Sequence, residues 1–323
     1  MRYVAHLGTP ELPCEKVDEA WIARFRIWLA AQPVTLTSGA EREKPRSLSS
    51  IENSVLQLAA AINAAEKRGD AQRPAQFKPI PTTQLNRSPQ HRLSIDDFAA
   101  AFRYCFEKTH RKNERVDLRR FLMASISTGG RPDAVHEIST DPKRRQWNTD
   151  RGVLALNYEG RRQTRKYRAT VRVPWQFKLR LEAAPVGFFI TSSSVRSAWE
   201  TMRKELGWPE DGEAGMKIVR RSIAQLLRDA GTPRAWSAVW RDSARKVDGE
   251  EIEMLLGHRP LGSVTDIYAA FDPDYLAGAL AAIEAIIDEI EARVPGAFHR
   301  SDTGEESNIV PLVAAKRAAN SLS

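Results

Sequence analysis

From near Lys16 onward, Trp21, Ile22, Phe25, Trp28 and Leu29 recur three and four residues apart. That spacing predicts an amphipathic helix with one apolar stripe. The polar stretch from Thr35 to Ser47, broken by Pro45, predicts a loop. Ser49 or Ser50 can then cap a second helix, whose buried face is Ile51, Val55, Leu56, Leu58, Ala59 and Ile62 and which ends around Gly69. From Ala71 to Arg92 the periodicity stops. Pro74, Pro79, Pro81 and Pro89 sit there among Gln, Thr, Asn and basic residues, a composition that predicts a linker.

Periodicity returns at Leu93-Ser94-Ile95-Asp96-Asp97, where Ser94 can cap and the two aspartates suit a helix N-terminus. Phe98, Phe102 and Phe106 share one face of that helix, and Leu118, Phe121, Leu122 and Ile126 mark another that stops at Gly129-Gly130. Two short alternating runs follow, residues 153–156 and 169–173, and predict paired strands around Gly160 and a cationic stretch. Helices resume over about 216–230, 234–247 and 250–256. A last amphipathic helix spans about 274–294, with Leu276, Leu280, Ile283, Ile286, Ile287 and Ile290 on its buried side. Beyond Gly296 the pattern fades, and a flexible tail is expected. The fold class is therefore mainly α with a small β-sheet (α+β). Its expected division is an extension over 1–15, a helical domain over 16–72, a linker over 73–92, a larger domain over 93–294 and a tail over 295–323.

A length of 323 residues accommodates two domains. There is no run of about 18 apolar residues to span a membrane, and residues 1–10 lack a signal-peptide pattern. Cys14 and Cys105 form neither a disulfide framework nor a metal-ligand spacing, so free thiols and a cytoplasmic setting are expected. The net charge of +8 points to a polyanionic partner. Its distribution is more telling: between Lys143 and Arg172 stand ten basic residues against only Asp150 and Glu159. A merely solvated basic face is the competing reading of that segment.

The candidate chemistry is spread along the chain. Thr128-Gly129-Gly130-Arg131 follows a helix end, and the turn between the predicted strands reads Gly160-Arg161-Arg162-Gln163-Thr164-Arg165-Lys166-Tyr167-Arg168. Lys217-Ile218-Val219-Arg220-Arg221 opens a helix, and Leu255-Leu256-Gly257-His258 precedes Tyr268 by ten residues, with Thr265 between. Cutting a phosphodiester needs a nucleophile, charge neutralisation on the phosphorane oxygens and a proton for the leaving oxygen. Guanidinium groups suit the second task because their planar fork meets phosphate oxygens bidentately.

These four motifs, in this order, resemble those of the tyrosine recombinases, the phage integrase family. The resemblance covers about residues 16–294 and implies a helical core-binding domain followed by a catalytic domain. It implies Arg131 and Arg220 as the phosphate-clamping arginines and His258 as a donor to a non-bridging oxygen. Tyr268 would be the nucleophile that forms a 3′-phosphotyrosyl link, and Lys166 the acid that protonates the leaving 5′ oxygen. Arg165 competes with Lys166 for that place, and Tyr275 competes with Tyr268 but is expected to pack. Lys217 stands where the family has histidine; it can donate to phosphate but accepts a proton poorly at neutral pH. Arg161, Arg162, Arg165, Arg168 and Arg221 are candidate contacts to DNA phosphates. The acidic residue that usually follows the first arginine falls near Asp133.

The activity so implied is site-specific DNA recombination, with no metal or ATP and no other cofactor expected. Its partners would be double-stranded DNA, three further copies of the chain in a homotetramer on two duplexes, and DNA-bending accessory proteins; the apolar face of residues 276–290 fits a C-terminal helix docking on a neighbour and equally fits packing within the chain. A bacterial or phage-derived, nucleoid-associated setting follows. Two rivals stand beside it: a type IB topoisomerase or resolvase using the same groups, and a catalytically silent DNA-binding relative, to which Lys217 lends support.

Overall fold

A computed structural model of the chain describes residues 12–35, 41–42, 45–85, 89–107, 112–164, 166–210, 212–242, 245–258 and 272–299. The chain divides into two units, Met1–Pro89 and Gln90–Ser323.

In the first unit, helix α1 (Glu19–Ala31) begins where Asp18 accepts the Trp21 N–H at 2.8 Å, satisfying one of the orphan donors of a first turn. A two-residue hairpin, β1 (Val34–Thr35) and β2 (Glu41–Arg42), separates it from α2 (Leu48–Arg68). Ser47 caps α2, two and three residues before the serines the pattern suggested, and Gly69 ends it at φ 81°. Ile22, Val55, Ala59 and Ile62 form the core between the helices. Phe77 belongs to the same core at 5% exposure. Residues 74–80, expected as linker, are thus tied to this unit. The Ala75 N–H donates to Asn63 Oδ1 and the Ile80 N–H to Glu52 Oε2, both at 2.8 Å. One buried aromatic outweighs the proline content around it. A single turn, α3 (Thr82–Leu85), follows.

The second unit opens with α4 (Ile95–Glu107), fixed by a reciprocal box. The Asp97 N–H donates to Ser94 Oγ and the Ser94 N–H to Asp97 Oδ2. Helix α5 (Lys112–Thr128) packs on it through wholly buried Leu118, Phe121, Leu122 and Ile126, and a short α6 (Pro132–His136) comes next. The sheet is antiparallel in the order β3 (Trp147–Asn148), β4 (Val153–Ala155), β5 (Thr170–Arg172). Leu154 pairs with Val171, and both turn into the core. Strand β3 was not anticipated; two residues carry no readable alternation.

Two helices, α7 (Trp175–Ala183) and α8 (Arg196–Glu205), also lie where no element was expected. The run Trp175-Gln176-Phe177-Lys178-Leu179-Arg180-Leu181 alternates apolar and polar as a strand would. Pro174 stands immediately before α7, a favoured place for proline, and Phe177 and Leu181, four residues apart, are the side chains that reach the core. Helix α9 (Ile218–Asp229) matches its expected span closely, whereas the helix expected over 234–247 shrinks to α10 (Ala238–Asp242). The chain folds back there: the Gly231 N–H donates to Trp240 O, and a Cβ on Gly231 would stand 2.6 Å from Arg245 O.

Helix α11 (Gly249–Leu255), a 3₁₀ turn over Pro273–Leu276 and α12 (Ala277–Arg293) complete the unit. Ile283, Ile286, Ile287 and Ile290 of α12 are buried within the same chain, so this apolar face is already occupied intramolecularly. Residues 295–299 are not tail. Phe298 is fully buried against Phe102, with ring centroids 5.4 Å apart. Glu291 gathers the N–H groups of Gly296, Phe298 and His299. A bend stabilised by one carboxylate has no periodicity to reveal it. Truncating such an aromatic typically costs about 3–5 kcal/mol. Phe298→Ala should therefore lower the unfolding free energy of the intact chain by about 3 kcal/mol in urea titration, a loss a flexible tail would not produce.

Candidate active site: two arginines and a histidine at a three-way junction

The end of α5 carries the first component. Thr128 Oγ1 donates to Ala124 O and accepts from the Gly130 N–H, turning the chain sharply out of the helix. Gly129 sits at φ 57°, and a Cβ there would stand 3.2 Å from a Leu256 methyl. The turn leaves Gly129 O to accept from another element and places Arg131 at the N-terminus of α6. Arg131 Nη1 donates to Tyr167 O at 2.6 Å.

Arg220 is the third residue of α9, whose buried stripe is Ile218, Val219, Ile223, Leu226 and Leu227. Half-exposed beside that stripe, it donates from Nη1 to Gly129 O at 2.7 Å and from Nη2 to Leu256 O. The third component follows α11. Gly257 takes φ 60°, and a Cβ there would lie 2.6 Å from Tyr167 O, so glycine is required for the strand connection to pass so close. His258 then stands with Nε2 3.0 Å from Arg220 Nη2. Since a guanidinium only donates, this contact favours a His258 Nε2 that accepts, with the ring proton on Nδ1.

The electrostatics follow from this packing. Burial chiefly, and then the charge of Arg131, lower the Arg220 pKa to about 10, with Asp133 acting in the opposite direction. Burial also holds His258 below the ordinary histidine value, and Arg220, Arg131 and Arg228 push it further down against Glu253. Among the described residues no carboxylate is ion-paired to Arg131 or Arg220. Three backbone carbonyls hold these cations instead. Carbonyl dipoles orient a guanidinium without cancelling its charge, so the cluster is suited to a dianionic or monoanionic oxyacid.

Arg131, Arg220 and His258 are therefore brought together. Lys166 is exposed next to Tyr167, whose carbonyl receives Arg131. Lys217 is exposed at the start of α9 and makes no side-chain hydrogen bond among the described residues. Arg162 is exposed, and Arg161 is half-buried with Nη1 3.0 Å from Asn157 Oδ1. With Arg161, three of the expected phosphate contacts are otherwise engaged. Arg221 is half-buried and donates to Glu213 O. Arg168 is only 5% exposed, with Nη1 2.5 Å from Glu137 Oε2 and Nη2 3.1 Å from Asp133 Oδ2. Burial raises and the Arg168 charge lowers the Asp133 pKa, with a net fall below the usual carboxylate range. Tyr275, expected to pack, is 57% exposed in its 3₁₀ turn. Tyr268 and Arg165 lie outside the described residues.

Sequence reasoning missed the carbonyl acceptors Tyr167 O, Gly129 O and Leu256 O, since any residue carries one. It also missed Glu137, whose only signal was a second acidic residue one helical turn beyond Asp133.

No protein-family model matches this chain, and no curated protein sequence matches it. Its architecture is the α+β fold of the tyrosine recombinases. The Tn1549 transposon integrase, solved with circular-intermediate DNA, is similar over 88% of this chain and 90% of its own, with 11% identity and a TM-score of 0.52. The XerH site-specific recombinase, in a pre-cleavage complex with its difH substrate, aligns over 86% of this chain and 74% of its own at 14% identity, TM-score 0.48. The integrase of mycobacterium phage Brujita aligns over 91% of this chain and 96% of its own at 13% identity, TM-score 0.39. The likeness to the transposon integrase is one of fold. No helix among the described residues is long and apolar enough to cross a membrane.

The histidine supplies a direct check. A folded-state pKa below 6.5 means the native protein binds fewer protons than the unfolded chain as the pH falls. The stabilisation is present above the unfolded value and is lost as pH drops through the folded one. Proton NMR should thus find His258 titrating below 6.5 in the free protein and upward-shifted once an oxyanion neutralises Arg220.

Proposed function

We propose that the chain is a site-specific DNA recombinase of the integrase type. The observation that carries this reading is the convergence of Arg131, Arg220 and His258, from three separated segments, on one patch where no carboxylate among the described residues is ion-paired to either arginine. Double-stranded DNA is the proposed partner, gripped mostly through its phosphates, and four copies would act on two duplexes. The helical first unit and the second unit would serve as core-binding and catalytic domains, in a cytoplasmic, nucleoid-associated setting.

In the proposed reaction the two arginines exchange carbonyl oxygens for the non-bridging oxygens of the scissile phosphate. That exchange costs little reorganisation, because the guanidinium groups are already oriented. The Tyr268 phenol oxygen attacks phosphorus as its proton passes to solvent water, forming a bond to the 3′ phosphate. The bond from phosphorus to the 5′ oxygen breaks, and that oxygen takes a proton from Lys166. His258 donates to a non-bridging oxygen once the bound anion restores its affinity for a second proton. The phosphotyrosyl link keeps the energy of the broken bond, so a 5′ hydroxyl of another strand can reverse the step. No external energy source is required.

Incubation with nicked suicide duplexes covering candidate attachment sequences tests the reading. A covalent protein–DNA adduct is expected for the unaltered chain and none for Tyr268→Phe. Arg220→Lys should lower its rate by about 10²–10³, the usual loss when one oriented oxyanion donor is removed. DNA binding without adduct on any substrate would leave an accessory protein. Relaxation of supercoiled plasmid without sequence preference would instead favour a topoisomerase.

A further inference from the structure

The connection between β4 and β5 carries Lys166, and its base is unusually well tied. Gln163 Nε2 donates to Arg168 O at 3.2 Å, while the Arg168 N–H donates to Gln163 Oε1 at 3.3 Å. The side-chain amide thereby acts as a strand partner that closes the turn ahead of Arg168. Asn157 and Arg161 exchange a second such pair, Asn157 Nδ2 to Arg161 O at 2.9 Å and Arg161 Nη1 to Asn157 Oδ1 at 3.0 Å. Both pairs are local and shape the turn; Arg161 also reaches toward Glu137, but only at 4.0 Å from Nε to Oε2.

Arg168 supplies the closer and more buried external anchor. Its side chain runs inward, 4% exposed, to Glu137 at 2.5 Å and Asp133 at 3.1 Å, with a longer bond of 3.5 Å to Leu156 O. Asp133 lies on α6, the helix that begins directly after Arg131, and Glu137 caps its end. Immediately before Arg168, Tyr167 O accepts from Arg131 and lies where a side chain on Gly257 would clash. One residue earlier is Lys166. A buried guanidinium shared by two carboxylates has one well-defined position, whereas an exposed lysine on a loop has many rotamers.

We propose that Arg168 is a positioning residue: by joining the Lys166-bearing turn to the helix after Arg131, it sets the place from which Lys166 delivers a proton to the leaving 5′ oxygen. This inference rests on the recombinase reading above. It assigns to Arg168 no contact with DNA, and it makes Glu137 and Asp133 partners in the same task.

Leaving-group chemistry separates this role from a general structural one. An alkoxide leaving group needs a proton as its bond to phosphorus breaks. A thiolate does not, since a thiol ionises near pH 8.5. The experiment therefore compares an ordinary suicide duplex, bearing a site trapped by the unaltered chain, with the same duplex carrying sulfur in place of the bridging 5′ oxygen. The full-length unaltered chain should cleave both. Arg168→Met should cleave the ordinary duplex about 10²–10³ times more slowly, within the range of a lost general acid. It should cleave the sulfur-containing one within a few-fold of the unaltered rate, as should Lys166→Ala. Arg168→Lys should recover part of the loss, and DNA affinity should change by less than about two-fold.

Equal losses on both duplexes, or no loss on the ordinary one, would overturn the assignment. So would a large fall in DNA affinity with a reduced salt dependence, the mark of a phosphate contact. Should Arg168→Met lose its native circular dichroism, Glu137→Gln carries the same comparison, because it keeps the acceptor and removes one charge from a half-exposed side chain. Failure of the unaltered chain to cleave either duplex would count against the recombinase reading itself.

Discussion

Two guanidinium groups stand together, each held by peptide carbonyls rather than by a carboxylate. Arg131 rests on Tyr167 O, and Arg220 on Gly129 O and Leu256 O. Like charges at this range repel, and burial adds a desolvation cost. The fall of the Arg220 pKa to about 10 records both effects. The arrangement persists because the cations do not stand alone: α5, α9, α11 and the β4–β5 connection are locked by a shared hydrophobic core, and the arginines ride on their ends. Packing energy thus maintains an electrostatic tension that an anionic ligand relieves.

The same constraint explains the local backbone. Three chain segments must approach closely enough for their carbonyls to reach two side chains, and side chains at the crossing would obstruct them. Gly129 and Gly257 stand at those crossings with positive φ, one against Leu256 and the other against Tyr167 O. The same packing favours the neutral ring of His258, since its Nε2 faces a donor that has no lone pair to offer. Acidic residues do occur near the cluster, but Asp133 and Glu137 are engaged by Arg168. That pairing directs their closest contacts to Arg168 rather than to Arg131 or Arg220, and it ties the turn that bears Lys166 to α6.

Long amphipathic stretches were legible from the chain alone. The helices around Trp21, Ile51, Phe98, Ile223 and Ile286 each repeat an apolar face over three or more turns, enough to define an element without its neighbours. Short elements were not. Strand β3 has two residues, and α7 alternates in polarity like a strand, yet Pro174 and the reach of Phe177 and Leu181 to the core make it a helix. Segments that owe their order to one buried ring or one carboxylate were also hidden. Phe77 draws a proline-rich stretch onto the first unit, and Glu291 and Phe298 fold residues beyond the last helix back onto the second.

For the site, the order and type of the candidate residues were determined by the chain itself, because spacing from helix ends and glycines is a local property. Arg131 after Gly129-Gly130, Arg220 in a first helical turn and His258 after Gly257 could be named because their motifs, in this order, resemble those of the tyrosine recombinases. Which cations face a ligand and which are consumed internally was decided only in three dimensions. Arg168 and Arg162 are equally basic in the sequence, yet one is buried between two carboxylates and the other lies in solvent. A charge count is blind to partners, and partners more than thirty residues away are supplied by tertiary packing alone.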